Sequence, residues 1–174
     1  MKLDQRIQRV QLILSDVDGV LTDGGIEFDN QGIETKKFHV RDGLGIKLWK
    51  QSGLHFGIIT ARSSHIVKLR MAELGVDIVR QGSGDKLPVA IKIIEELGLE
   101  TQQVCYVGDD LTDLRLMQYV GLAASVSDGA PEVRNAAHIT TKASGGNGAI
   151  RELVETILKS QNRWIEIVNS FSDS

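Results

Sequence analysis

The sequence predicts an α/β fold, a doubly wound and mostly parallel sheet. Three observations carry this. Short apolar runs recur and each closes on polar residues: Leu12-Ile13-Leu14 before Ser15-Asp16, His55 to Ile59 before Thr60, and Gln103 to Val107 before Gly108-Asp109. Such runs suit parallel strands covered on both faces. Helical patterns lie between the runs, and strand alternating with helix is the signature of this class. At 174 residues, the chain reads as a single domain, 1–174, that buries roughly 70% of its extended surface and needs no staples.

Each element has its own justification. After the first strand, residues 24–40 carry Ile26-Glu27-Phe28, a turn at Asp29-Asn30-Gln31-Gly32, then Ile33 to Val40 with rough alternation. This reads as a β-hairpin flap. Gly43 to Gln51 carries Leu44, Leu48 and Trp49 at helical spacing. Ser63 to Leu74 is opened by serines and stopped by Gly75, and Asp77 to Val79 follows as a short strand. In Lys86 to Leu97, Pro88 lies in the first turn and Gly98 follows the end, both conventional helix boundaries. Gly145-Gly146-Asn147-Gly148 precedes a helix from Ala149 to about Ser160. That glycine loop reads equally as an anion site at a helix terminus or as a plain turn. Residues 161–174 form a tail with Trp164, Ile165, Ile167 and Val168. It is read either as reaching a neighbouring subunit or as a helix packed on its own.

Composition narrows the function. Hydrophobic residues at 41% and charged residues at 25% exclude wholesale disorder. A net charge of -3 speaks against a nucleic-acid-coating protein. No apolar run approaches the length of a membrane span, and residues 1–11 are polar, unlike a secretory leader. The simplest expectation is a cytoplasmic protein without membrane or nucleic-acid partners. The lone cysteine, Cys105, offers neither a disulfide nor a metal pair. No histidine has a partner at metal-ligand spacing.

The strongest chemical signal is Asp16-Val17-Asp18-Gly19, directly after the first strand. Ligands of such sheets bind at the carboxyl ends of strands. Two carboxylates there allow one to attack an electrophile while the other handles a proton. Alone, the pattern also fits a turn with capping aspartates. It is accompanied by Thr60 at a strand end, Lys86 at a helix start, and Gly108-Asp109-Asp110-Leu111-Thr112-Asp113 after a third strand. Carboxylates on one sheet edge suit a hard cation such as Mg2+. A hydroxyl and an ammonium suit phosphate oxygens.

These four segments resemble the motifs of the haloacid dehalogenase superfamily of phosphotransferases. The resemblance covers nearly the whole chain. It extends to the small, capless, tetrameric subgroup that contains the 3-deoxy-D-manno-octulosonate 8-phosphate (KDO 8-phosphate) phosphatases, through DVDGVLTDGGI, FHVRDGLGI, IITAR, QGSGDKL, YVGDDLTDL and SGGNGAIRE. The resemblance implies a Rossmann-like fold with Asp16 as nucleophile and Asp18 as general acid, then base. It implies Mg2+ held by the Asp16 carboxylate, the Asp18 carbonyl and the Asp109 carboxylate. Thr60 and Lys86 hold the phosphoryl group, while Asp113 and Asp110 support the metal or Lys86. An acid must be protonated to act, so the environment of Asp18 is expected to favour its neutral form.

The same resemblance places substrate contacts at Asp18, His39, Val40, Arg41, Asp42, Gly43, Lys47, Arg62, Arg70 and Lys86. The implied substrate is a sugar-acid phosphate of lipopolysaccharide synthesis. Arginine forks match its carboxylate; Lys47 alone also fits an ordinary solvated helix surface. With no inserted cap, neighbouring subunits of a homotetramer would supply the lid, and the flap has free edges for such contacts. Departures from the subgroup pattern are His39 for Asn, Lys47 for Arg, Ala61 for Gly and Asn147 for Arg. Two alternatives stand beside this reading: a phosphatase of a nine-carbon, sialic-type acid 9-phosphate, and a non-catalytic oligomerising module. Arg62 stands where the nine-carbon branch has Glu, which favours the eight-carbon acid. The intact Asp16, Asp18, Thr60, Lys86 and Asp109 speak against the module.

Overall fold

Strand β1 (Leu12–Ser15) is buried at all four positions. The pleat alternates its side chains, so Ile13 enters one apolar layer while Leu12 and Leu14 enter the other. A strand buried on both faces belongs in the middle of a sheet. The computed structural model of the chain, which describes residues 1–172, places it there. Its neighbours in register are β4 (His55–Ile59) and β6 (Val104–Gly108), both parallel. β5 (Ile78–Arg80) extends one side; β7 (Leu122–Ser125) and β8 (Ile139–Thr140) extend the other. The six-stranded order is β5-β4-β1-β6-β7-β8, every pairing parallel. The chain winds outward from β1 through β4, then crosses to β6, so the β1/β6 boundary is the switch point where such folds bind ligands.

Helices cover both faces. One layer contains α1 (Leu3–Gln8), α2 (Val40–Gln51), α3 (His65–Glu73) and α7 (Ala149–Ser160), and packs Ile46, Trp49, Met71, Leu153 and Ile157 against Ile13 and Cys105. The other contains α4 (Lys86–Glu96), α5 (Leu114–Met117) and α6 (Pro131–Ala136), and packs Ala90, Ile93, Leu116 and Val133 against Leu14 and Tyr106. The fold class is as the sequence predicts. Cys105 is fully buried and its thiol is pushed up by burial, as for an inert small hydrophobe.

The flap is a separate two-stranded antiparallel hairpin, β2 (Glu27–Phe28) and β3 (Glu34–Thr35). It is shorter than the alternation to Val40 predicts. His39 caps α2 by accepting from the Arg41 amide at 3.2 Å, so the helix begins at Val40, three residues before the predicted start. The helix α1 and strands β7 and β8 carry little periodic signal: α1 buries only Ile7, and β7 is the small-residue run Leu-Ala-Ala-Ser.

Gly145 donates to Asp128 Oδ1 at 2.8 Å and Gly146 to the Val20 carbonyl at 2.9 Å, so the glycine loop packs on the Asp16–Asp23 loop. The N-terminus of α7 already holds an anion, the Asp42 carboxylate, which accepts from Gly148 N at 3.2 Å and Arg151 N at 2.8 Å. The tail forms α8 (Trp164–Ser172), packed on its own subunit through Trp164 and Ile167, with Arg151 5.3 Å from the Trp164 ring centroid. Ile165 and Phe171 remain exposed. Residues 173 and 174 of the predicted tail lie outside the described residues.

Candidate active site

The carboxyl end of β1 builds the first half of the site. The Asp16 amide still pairs with the Val107 carbonyl, at 3.0 Å, so the sheet fixes the backbone of Asp16. The chain then curls: the amides of Leu21 and Thr22 both reach the Val17 carbonyl, at 2.9 and 3.1 Å. Gly19 has φ +89°, and a Cβ there would stand 1.9 Å from Asp109 Oδ2. Only glycine lets this loop approach Asp109 so closely.

Lys86 opens α4 and points back under the sheet edge. Its ammonium donates to Asp16 Oδ2 at 2.5 Å and to Asp113 Oδ1 at 2.6 Å, with only 1% of the side chain exposed. A buried lysine needs such partners. Burial alone would lower it, but Asp16 and Asp113 more than offset that, and the ammonium is held above its ordinary value.

Asp113 is saturated. Oδ1 accepts from Lys86 and from the Tyr106 hydroxyl at 2.5 Å; Oδ2 accepts from the amides of Asp109 at 2.9 Å and Asp110 at 3.2 Å. A Cβ on Gly108 would stand 2.4 Å from the Asp113 carboxyl carbon, so glycine is required there too. Asp110 accepts from the Leu111 amide at 2.7 Å as the cap of a short helical turn.

Asp109 is different. Its Oδ1 is buried and has no hydrogen-bond partner among the described residues. Carboxylate oxygens of Asp16, Asp109 and Asp113 lie within 4.8 Å of one another. Burial, then the neighbouring Asp16 and Asp113, push Asp109 up to about 7. Burial raises Asp16 to about 6 against the pull of Lys86. An unpartnered buried oxygen among crowded carboxylates is the donor set of a hard divalent cation. With Asp113 accepting from four donors, the side chains left to hold one are Asp109, through its unpartnered Oδ1, and Asp16, whose Oδ1 accepts only from the Val17 amide at 2.6 Å.

A pocket of about 270 Å3 opens over these groups, lined by Asp16, Asp18, Thr60, Ala61, Arg62, Lys86, Asp109 and Asp110 among others. Thr60 is placed by β4; its hydroxyl accepts from the Arg62 amide at 3.3 Å. Asp18 lies at the mouth, where its carboxylate accepts from the Lys36 ammonium. The expected environment favouring a neutral Asp18 is therefore not what this chain shows: an ion pair with the flap stands there. Arg62 reaches Glu34 at 2.8 Å.

The remaining expected substrate residues do not line this pocket within one chain. His39 caps α2 and Val40 is exposed. Asp42 is 2% exposed and spent on α7, and a Cβ on Gly43 would stand 2.4 Å from Arg70. Both have structural positions within this chain. Arg70 pairs with Glu73 at 2.8 Å and lies 5.9 Å from the Phe38 ring centroid. Arg41 and Lys47 lie on α2, outside the pocket lining.

Comparison with known proteins agrees with this geometry. Residues 75–153 match the family described as haloacid dehalogenase-like hydrolase. A Yersinia pestis protein named 3-deoxy-D-manno-octulosonate 8-phosphate phosphatase is 40% identical over 159 residues, covering 91% of this chain and 85% of its own. The chain belongs to the haloacid dehalogenase-like hydrolases.

Solved structures of this hydrolase family superpose closely. The KDO 8-phosphate phosphatase of Moraxella catarrhalis, determined with magnesium, phosphate and KDO, has TM-score 0.95 and 41% identity, covering 97% of each chain. The cobalt-bound enzyme of Haemophilus influenzae has TM-score 0.87 and 34% identity, covering 90% of this chain and 92% of its own. Within the hydrolase site, sequence reasoning missed Tyr106, Lys36 and Glu34. Tyr106 hides in an apolar strand. Glu34 and Lys36 have a readable signal: positions 34, 36 and 38 turn inward while 35 and 37 are exposed, the period of an extended segment over a surface.

Proposed function

We propose that this hydrolase is a Mg2+-dependent phosphatase that converts KDO 8-phosphate to KDO and inorganic phosphate, in the cytoplasmic synthesis of lipopolysaccharide sugar. The observation that carries the reading is the near-complete likeness to a structure holding KDO, phosphate and magnesium, joined to an intact acidic site in this chain. Mg2+ would be held by the Asp16 and Asp109 carboxylates and the Asp18 carbonyl. When bound, it supplies positive charge against the phosphoryl oxygens.

The chain's own groups account for the rest. Asp16 attacks phosphorus, a P–O bond forms to its carboxylate, and the bond to the sugar oxygen breaks. Asp18 gives its proton to that oxygen, releasing KDO. Water then attacks the phosphorus of the aspartyl-phosphate; Asp18 takes its proton and the Asp16 carboxylate is restored. Lys86 fixes Asp16 and offsets charge on the phosphoryl group, and the Thr60 hydroxyl binds a phosphoryl oxygen. Asp113, locked by four donors, sets the position of Lys86.

Arg62, on the pocket wall, faces the substrate carboxylate. Arg41, Lys47 and Arg70 lie outside the pocket and serve substrate through assembly: a homotetramer brings neighbouring chains over each open site. Exposed Ile26, Phe28 and Ile33 on the flap support that interface.

The test is phosphate release from KDO 8-phosphate, a sialic-type 9-phosphate and hexose phosphates, with Mg2+. At least a tenfold preference in kcat/KM for KDO 8-phosphate is expected. Preference for the nine-carbon acid would overturn the substrate, and no release from any of them would overturn the enzyme.

A further inference from the structure

Lys36 is a lysine in an unusual place. It leaves the end of the flap hairpin, yet only 1% of its side chain is exposed. Around it the flap is open: Ile26, Phe28 and Ile33 are each at least half exposed. A hairpin with two-residue strands does not hold itself together, so what fixes the flap lies at its inward face. There the Lys36 ammonium donates to the Asp18 carboxylate and stands 3.5 Å from Glu34 Oε1. Glu34 in turn accepts from Arg62 at 2.8 Å and from the Ser64 hydroxyl at 2.9 Å. Arg62 and Ser64 follow β4, so Glu34 ties the flap to the sheet edge and holds Lys36 in place.

We propose that Lys36 is a positioning residue for the phosphatase reaction: its ammonium fixes the direction of the Asp18 carboxylate, with Glu34 anchoring Lys36 to the loop after β4. The inference rests on the proposed role of Asp18 as proton donor to the leaving oxygen. An acid acts only when its proton lies within reach of that oxygen; Lys36 donates to Oδ1, so the proton for the leaving oxygen is carried on Oδ2. A free aspartate at a pocket mouth samples several rotamers; one pinned by a buried ammonium does not. The flap thereby acts on the leaving-group side of the reaction, while Lys86 acts on the nucleophile side.

The test is kcat/KM at saturating Mg2+ across phosphate esters, from p-nitrophenyl phosphate to alkyl phosphates and KDO 8-phosphate. This parameter ends at the first phosphoryl transfer, so the later use of Asp18 as base does not enter it. For Lys36→Met, the loss is expected to grow with the basicity of the leaving alcohol, from about threefold for the nitrophenyl ester to about 30- to 100-fold for alkyl esters. Glu34→Gln, which keeps the shape of the clasp, should show the same slope with smaller losses, and serves as the comparison if Lys36→Met does not fold. A uniform loss across the series in folded variants would overturn the proposal and leave Lys36 as a flap anchor only. Asp18→Asn separates the two failures. A slope in Asp18→Asn without one in the Lys36 and Glu34 variants defeats Lys36 alone. No slope in Asp18→Asn defeats the reading of Asp18, and the proposal with it.

Discussion

Lys86 Nζ donates to Asp16 Oδ2 across 2.5 Å, in a setting where almost none of the lysine meets solvent. The same ammonium holds Asp113. Removing it leaves two carboxylates facing each other. Lys86→Met is therefore expected to lower kcat at least about 100-fold, the scale of losing a preorganised charge at the reacting group. It should also cost about 3–5 kcal/mol of stability, as for a broken buried ion pair. Urea unfolding and steady-state kinetics on the same preparation check both.

Metal and protons compete for this site. In the metal-free protein Asp16 stands at about 6 and Asp109 at about 7, against an ordinary 3.8, chiefly through burial. A carboxyl raised in the folded state favours folding most when protonated. Its contribution is complete below the ordinary value and is lost as pH rises through the folded one. The melting temperature of EDTA-treated protein should therefore carry a component that falls between pH 4 and pH 7. Mg2+ should restore most at pH 7 and least at pH 4. Binding at pH 6 should release protons, measurable by calorimetry in buffers of different ionisation enthalpy. A Mg2+ effect independent of pH would contradict the assignment of Asp16 and Asp109.

Much of this site is legible in the sequence, for a physical reason. Asp16, Thr60 and Asp109 each follow an apolar strand, and parallel strands in one sheet put such residues on one edge. What is not legible is which carboxylate does what. Asp109 and Asp113 look alike in Gly108-Asp109-Asp110-Leu111-Thr112-Asp113, yet one keeps an unpartnered oxygen and the other is saturated by four donors from three segments. Asp42 belongs with Arg41 as a sequence pattern, but it is bonded to Arg151, 109 residues away. Contacts at that separation leave no local periodicity to read. The doubly wound fold was readable from β1, β4 and β6; α1 and β7 were not, because a mostly polar helix and a run of alanines match no strong template.

Gly108 makes the support of Lys86 testable from the backbone. A methyl group at this position meets Asp113, which is fully buried and has no room to yield. Gly108→Ala is expected to lower kcat at least tenfold and to destabilise by about 1–3 kcal/mol, the usual cost of overpacking. Kinetics and thermal unfolding would show it. Ordinary activity in this variant would mean that the position of Asp113 does not govern Lys86.

Asp42 is a test of structure rather than chemistry. Asp42→Ala removes the acceptor for two amides at the start of α7 and should cost about 1–2 kcal/mol in urea unfolding, as for a lost cap. Asp42→Asn keeps an acceptor oxygen and should cost less. Equal losses from the two would show that the cap is not what Asp42 contributes.

Arg62 separates recognition from turnover. Arg62→Ala should raise KM for KDO 8-phosphate by about 10- to 100-fold, the scale of a charged hydrogen bond. KM for an uncharged-alcohol phosphate should move far less. Equal shifts for both would place Arg62 on the phosphoryl group instead of the sugar carboxylate.

The proposed phosphoryl transfer depends on Asp16 and on Mg2+. Phosphate release from KDO 8-phosphate by the wild-type chain and by folded Asp16→Asn, each with Mg2+ and with EDTA, tests it most directly. Turnover only in the wild type with Mg2+, with the variant lowered at least about 1,000-fold, is the predicted result. Turnover by Asp16→Asn near the wild-type rate, or by the wild type equally in EDTA, would contradict the account.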